Sequence, residues 1–462
     1  MIHIDRPRTP TDLLSAIEQF FELSAEKIQS LERSWTPSSG APVFTVDGRY
    51  TARGWTEWTE GFQYGSALLQ FDATGAKKFL ELGRERTLTR MAPHLTHMGV
   101  HDHGFNNVST YGALWRLARE GRIESDAWEV RFYELALKVS GAVQARRWTP
   151  IPGGGYIHSF NGAHSLFVDT IRSLRSLALA HLLGHRLLEE QDAQVNLLSR
   201  LLQHARTTAR YNVFDGSGAG PYDVRGRVAH ESLFNPLNGT YRGPSTQQGY
   251  SPFSTWTRGL AWAMLGFAEQ LEFLATLPAS TIEQAGGDSS ETWLLEAARA
   301  TCDFYIESAA CADGVPYWDT GAPGLSALGD WGSRPADPFN DREPVDSSAA
   351  AIAAQGLLRL GAFLDRRGES GTRYWQAGLQ VAHTLFDATG PYLSTNASHQ
   401  GLLLHSVYHW PNGWDHVPKG ARVPRGESSQ WGDYHAREVA LYIQRVAMNR
   451  PYLAFYGPPK HG

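Results

Sequence analysis

His164–Leu183 reads HSLFVDTIRSLRSLALAHLL. Phe167, Ile171, Leu174 and Ala178 recur at i, i+4, i+7 and i+11, the apolar stripe that one face of an α-helix buries. The same period returns along the chain and predicts helices over approximately 10–33, 61–86, 106–120, 123–142, 165–187, 189–208, 254–275, 290–310, 346–365, 370–388 and 432–447. Asp346-Ser347-Ser348 opens one of them as a plausible cap. Strand-like alternation is rare and no βαβ rhythm occurs, so the pattern points to an all-α chain. About a dozen helices sharing one apolar system predict a toroid of six helical hairpins, an (α/α)6 barrel, with residues 1–462 forming one domain. The connections Glu32–Val43, Thr149–Tyr156, Asp215–Phe253, Asp313–Pro344 and His409–Gln430 are mostly long and rich in Gly, Pro, polar and aromatic residues. Loops of that kind are expected to build a site at one end of the barrel.

Hydrophobic residues make up 42% of the chain and charged residues 19%, with a formal net charge of −5. That balance carries no basic footprint for nucleic acid and no attraction to an anionic membrane surface. The 15 Trp, 18 Tyr and 20 Phe supply ring faces suited to sugars, although most such residues fill cores. Cys302 and Cys311 belong to no CxxC pair and are expected to be reduced thiols. The N-terminus MIHIDRPRTPTDLL has no apolar h-region, and no uninterrupted apolar run reaches membrane-span length. A soluble cytoplasmic protein, monomeric or weakly self-associating, is the expectation.

Two aspartates stand in distinctive frames. Asp102 lies in THMGVHDHGF (Thr96–Phe105), and Asp169 opens the apolar helix already described. Paired carboxylates in a cleft are the usual equipment for acid/base work on a sugar. The plainer reading is that each caps a helix or meets its dipole. Apolar neighbours Leu166, Phe167, Val168 and Ile171 should favour a protonated Asp169, as a general acid requires. His97 and His101 have the spacing of a helical metal pair, but no H-E-x-x-H is present and Gly99 and Gly104 break the stretch. His101 is therefore expected to be a hydrogen-bonding group beside Asp102, with no metal and no cofactor. Pro152–Tyr156 (PGGGY) lacks GK[ST] and reads as a turn. Arg258 and Trp262 share a helix face in the run that starts at Gln248, either as a structural cation–π pair or as a clamp for a carboxylate and a ring.

Taken in order, these blocks resemble glycoside hydrolase family 88, the unsaturated glucuronyl hydrolases. Trp58-Thr59-Glu60-Gly61-Phe62 is similar to the family's WTxGF entry, His101–Phe105 to HDxGF, and Val168-Asp169-Thr170 to IDT. Gln248–Trp262 is similar to QGYxxxSxWxRGxAW, the most specific block; Pro316–Asp319, Asp346–Ala349 and Gly432-Asp433-Tyr434 match later ones. The similarity runs over roughly 55–447. It implies an (α/α)6 barrel that removes a 4,5-unsaturated uronic acid from the non-reducing end of lyase-generated oligosaccharides. Asp169 then matches the acid/base that protonates C4 and activates the water adding to C5, and Asp102 the second essential aspartate. His230, Gln248, Arg258 and Trp262 match substrate contacts, with His101, Trp58 and Phe160 beside them. Ser428 or Ser429 matches a contact to the next sugar. The chain departs from the pattern at His103, at Phe160 in place of a common Trp, at His435 in place of Tyr, and in the longer His409–Gln430 loop. Two alternatives stay open: an unsaturated rhamnogalacturonyl hydrolase or another helical-toroid glycosidase, and a non-catalytic carbohydrate-binding protein.

Overall fold

A computed structural model describes residues 1–54, 57–218 and 220–457. The residues left out include Ala219 of the 215–253 connection. The helices are α1 (Leu14–Ser34), α2 (Glu60–Thr74), α3 (Lys77–Arg90), α4 (Ala92–Leu95), α5 (His103–Asn107), α6 (Ala113–Arg119), α7 (Ala127–Arg146), α8 (Thr170–Ser173), α9 (Arg175–Leu182), α10 (Leu197–Tyr211), α11 (Thr257–Leu274), α12 (Ala279–Gln284), α13 (Ser290–Phe304), α14 (Ser347–Arg366), α15 (Thr372–Phe386) and α16 (Gln430–Ala447). Packing closes them into two rings. The inner ring passes from α2 to α5–α6, then α8–α9, α11, α14, α16 and back to α2. Outside it stand α1, α3, α7, α10, α13 and α15, each beside an inner neighbour. Inner and outer helices alternate along the chain, which is the expected (α/α)6 toroid.

An inner helix is covered on every side, so it must be apolar or neutralised all round. Every residue of α11 is buried, and so is nearly every residue of α14. Among the described residues α14 alone is long and apolar enough to cross a membrane, but 94% of its apolar window is packed inside the toroid. Asp346 caps it as expected, accepting from the Ser348 and Ala349 amides.

Several expected boundaries move. The helix expected over 61–86 breaks at Gly75, whose φ of +72° ends α2. The 165–187 segment begins as a strand, β5 in the numbering below, before α8, and the 189–208 helix starts only at Leu197. Short strands are also commoner than expected: β1 (Pro42–Val46) pairs with β2 (Arg49–Ala52), β3 (Trp148–Ile151) with β4 (Gly154–Ile157), β6 (Leu187–Leu188) with β7 (Gln194–Val195), and β8 (Glu231–Phe234) lies between β5 (Ser165–Phe167) and β9 (Tyr241–Ser245). Each is too short for its alternation to stand out beside long helical stripes. PGGGY is the β3–β4 turn, with Gly153 at φ +81°.

One contact sets the spacing of the two aspartates. A Cβ on Gly104 would sit 2.2 Å from the Ser173 carbonyl oxygen, so only glycine lets α5 meet α8 this closely. The Gly104 amide donates to Ser173 Oγ at 2.8 Å, and Arg175 donates to the Gly104 carbonyl at 2.8 Å. Gly104→Ala should force the two helices apart, lowering stability by about 1–3 kcal/mol as overpacking does and impairing any activity that needs both carboxylates. Thermal melts and turnover on the same protein check this; an unchanged melting temperature and rate would show that the contact yields freely.

Candidate active site

Asp102 immediately precedes α5 and Asp169 immediately precedes α8, yet neither carboxylate caps its helix. The capping explanation therefore fails for both. Each side chain turns instead toward His101. Its Nε2 lies 3.0 Å from Asp169 Oδ1 and 3.8 Å from Asp102 Oδ1. Ser173 Oγ and Gln144 Nε2 donate to the His101 carbonyl at 2.7 and 2.9 Å, and Gln144 also donates to Ser173 Oγ. Sequence reading did not single out Ser173 or Gln144, because a polar residue on an inner helix face carries no periodic signal.

The electrostatics of this trio differ from the expectation. Burial pulls His101 toward the neutral form, but the Asp102 and Asp169 charges outweigh it and raise its pKa. Burial raises Asp169, and the His101 charge and hydrogen bond, with His230 and Arg258 behind them, more than reverse that. Asp102 is raised, by burial first and then by the Asp169 charge against the opposing pull of His101. The shifts within the trio thus favour a proton on His101 and the ionised form of Asp169. The apolar residues around Asp169 in sequence misled: Leu166, Val168 and Ile171 are buried away from the cavity and Phe167 packs edge-on against the His101 ring, while the carboxylate meets that histidine.

The trio opens into a cavity of about 370 Å³ that also takes in Trp58, Phe160, Gln248, Arg258 and Trp262. Trp58 stacks on Trp431 with centroids 5.1 Å apart, and Phe160 lies parallel to the His101 ring at 6.2 Å. Trp262 packs edge-on against His435 at 4.9 Å. His230 sits behind the wall. Its Nδ1 accepts from the Gln247 and Gln248 amides at 3.1 and 3.3 Å, which assigns the remaining proton to Nε2. Burial pushes its pKa down to about 3, and Nε2 has no hydrogen-bond partner among the described residues.

Arg258 does not pair with Trp262, and where it lines the cavity its guanidinium is already engaged by protein partners. Its guanidinium lies 4.7 Å from the Trp256 ring centre and 4.9 Å from that of Trp431. It donates to Asp346 Oδ2 at 3.0 Å, Gln248 Oε1 at 2.8 Å, the Tyr408 carbonyl at 2.8 Å and the Val407 carbonyl. With Oε1 committed to Arg258, the amide group Nε2 is what Gln248 offers to the cavity.

Ser428 does not reach the cavity. It is buried against β1, where its carbonyl accepts from the Thr45 amide and its amide donates to Thr45 Oγ1, and Ser429 caps α16. The unusual 409–430 loop supplies His409, Asn412 and Trp414 to the wall instead, alongside Tyr408. Asp415 secures that segment by accepting from the Tyr408 and His409 amides at 2.5 and 2.8 Å, and burial lifts its pKa to about 6. His103, unexplained by sequence, bridges Ser140 Oγ at 3.1 Å and the His97 carbonyl at 3.0 Å; burial lowers its pKa to about 4. His97 and His101 flank the turn at 98–99 and lie on no helix, so their i,i+4 spacing is not that of a helical pair. Among the described residues, the set of three potential ligands that does converge, Asp47, His416 and Glu427, lies outside the cavity wall.

The toroid thus holds two buried carboxylates on one histidine under a wall of tryptophans, an arrangement equipped for proton transfer. No protein-family profile matches the chain. Curated relatives do: the unsaturated glucuronyl hydrolase of Bacillus sp. (strain GL1) is 26% identical over 407 residues, 86% of this chain and 89% of the relative. The unsaturated chondroitin disaccharide hydrolase of Streptococcus pyogenes serotype M1 is 24% identical over 443 residues, 94% and 93% of the two chains. The crystal structure of the Bacillus sp. GL1 unsaturated glucuronyl hydrolase superposes with a TM-score of 0.70 at 22% identity, over 97% of this chain and 99% of that one. A UGL structure with dGlcA-Glc-Rha-Glc matches with a TM-score of 0.71 at 22% identity, over 97% and 100% of the chains. The chain is thus a relative of the unsaturated glucuronyl hydrolases along nearly its whole length and has their (α/α)6 fold.

Lysine at 258 would keep the charge but cannot serve four acceptors with a planar fork. Arg258→Lys should therefore slacken both Gln248 and the 407–409 segment and lower kcat/KM by about tenfold or more. An unaltered specificity constant would show that neither wall needs the clamp. His101→Gln tests the shared proton. His101 binds its proton above the ordinary histidine value, so in the wild type the proton is lost only as pH rises through that raised value. Without the imidazole the proton must sit on a carboxylate alone, and the basic limb of the kcat/KM profile should move to lower pH. A limb that stays in place would detach His101 from proton supply.

Proposed function

We propose that this chain is a hydrolase that removes a 4,5-unsaturated glucuronic acid from the non-reducing end of oligosaccharides generated by polysaccharide lyases. The observation that carries the reading is the buried trio: His101 held between Asp169 and Asp102 in the cavity. The named relatives support the same activity. In this reading the uronate carboxylate enters beside Gln248. Its negative charge raises the proton affinity of Asp169, because like charges disfavour a second ionisation. The proton held by His101 then passes to the Asp169 carboxyl, which delivers it to C4 of the vinyl ether. Charge develops at C5 next to the ring oxygen. The Asp169 carboxylate takes a proton from a water whose oxygen adds to C5, so the acid is regenerated and one water is consumed. The C5 hemiketal opens, and the hemiacetal carbon C1 releases the leaving sugar's hydroxyl. Asp102 holds the ring and keeps His101 charged; Trp58, Phe160 and Trp262 offer faces to the sugar.

An ordinary glycosidase would place two carboxylates across the scissile bond, one acid and one nucleophile or base. Here both carboxylates gather on one imidazole, which favours single-site proton delivery over that arrangement. A cytoplasmic location accords with two buried free thiols, Cys302 and Cys311.

Lyase-generated disaccharides should lose their ultraviolet absorbance with the enzyme, because hydration destroys the conjugated C4=C5 bond, while saturated glucuronides remain intact. Asp169→Asn should lower turnover by about two to four orders of magnitude, as removal of a general acid/base does, and leave binding of the unsaturated disaccharide. Asp102→Asn should also slow turnover, with a larger effect on binding or on the pH profile. A well-folded Asp169→Asn protein with near-normal turnover, or a wild type that cleaves saturated glucuronides, would sink the mechanism.

A further inference from the structure

We propose that Tyr250, Phe253 and Tyr222 form an aromatic platform continuous with the cavity that carries the sugar rings following the first leaving unit, so that longer unsaturated oligosaccharides are preferred. The inference rests on the hydrolase reading above and specifies its substrate length. Gln247 and Gln248 line the cavity, and two residues later Tyr250 is 52% exposed. Phe253 is 45% exposed and Tyr222 51%, and their rings pack with centroids 4.8 Å apart at 31°. One exposed aromatic is ordinary; an exposed stacked pair, with a third exposed ring two residues from the cavity residue Gln248, marks a binding surface.

The backbone beneath the rings is tied down by hydrogen bonds. Asp319 Oδ2 accepts from the Tyr250 amide at 2.9 Å, and Ser251 Oγ accepts from the Phe253 amide at 3.1 Å. Arg227 joins the two loops by donating to the Tyr222 carbonyl at 3.0 Å and to the Phe253 carbonyl. Asp223, next to Tyr222, ties its own loop by accepting from the Gly216 and Gly218 amides at 2.9 and 3.1 Å. At the base of that loop Gly226 has φ +84°, and a Cβ there would lie 1.9 Å from the Ala300 carbonyl oxygen, so the loop is seated on α13. Rings on a tethered backbone, with two side-chain torsions each, lose little entropy when a sugar's C–H face settles on them.

The test compares unsaturated disaccharide and tetrasaccharide from one chondroitin lyase digest, followed by loss of absorbance. The wild type, Tyr222→Ala/Phe253→Ala and Tyr250→Ala are measured side by side. Wild-type kcat/KM should favour the tetrasaccharide by about tenfold, equivalent to ~1.4 kcal/mol. The ratio should fall toward one in the double variant and by a smaller amount in Tyr250→Ala, which also decides the matter if the double variant does not fold. A wild-type ratio near one, or a ratio preserved in the folded variants, overturns the platform even with the disaccharide turned over. If neither sugar is turned over, the hydrolase reading fails by itself, and the same ratio taken from calorimetric affinities decides the platform. Loss of self-association in the variants with no change in ratio would assign the patch to a second copy of the chain and overturn the proposal.

Discussion

The inner ring of the toroid depends on one guanidinium that has no access to water. Arg172, three residues after Asp169, donates through Nε and Nη2 to Glu269 at 3.1 Å each, through Nη2 to Glu438 at 2.7 Å, and through Nη1 to His435 Nε2 at 2.7 Å. It thereby ties α8 to α11 and α16 across the barrel axis. Removing one member would strand a buried charge, which costs roughly 3–5 kcal/mol. The arrangement also explains why His435 stands in this motif: a nitrogen facing a guanidinium must accept, so the ring is neutral, and burial with the Arg172 charge lowers its pKa to about 3. That ring supports Trp262 and Phe62, so the ion cluster below the cavity fixes the aromatic floor above it.

Arg258 has the corresponding role in the layer above. It grips Gln248 on one wall and the carbonyls of Val407 and Tyr408 on the other, while Asp415 holds the amides of the same 408–409 stretch. A single side chain from α11 thus couples two loops far apart in sequence. Between the two arginine layers the trio of Asp169, His101 and Asp102 keeps one proton in a buried space. Its position depends on how many negative charges surround it. In the proposed reaction an incoming uronate would supply one more, and substrate binding and acid activation would be one electrostatic event.

Most of the helices, and both aspartates, were legible because their signals are local. The stripe of Phe167, Ile171, Leu174 and Ala178 predicted a helix, and all four side chains are buried. Legibility failed where long-range pairing overrode local pattern. Residues 165–167 carry the opening of that stripe, yet β8 captures them as a strand, with Phe167 opposite Glu231. Ser428 fits a motif position, but Thr45 of β1 takes its backbone and turns it from the cavity.

Periodicity pointed to a helical toroid, and local frames marked Asp102, Asp169 and Arg258, with Gln248 added by the family resemblance, because helix burial and turn chemistry are written within a few consecutive residues. Tertiary structure alone decided what those groups do to one another. The ionised form of Asp169 is favoured by His101, 68 residues away, and Arg258 owes its role to acceptors on Tyr408 and Asp346, 150 and 88 residues distant. Charge interactions depend on distance through space, and no spacing along the chain records that distance.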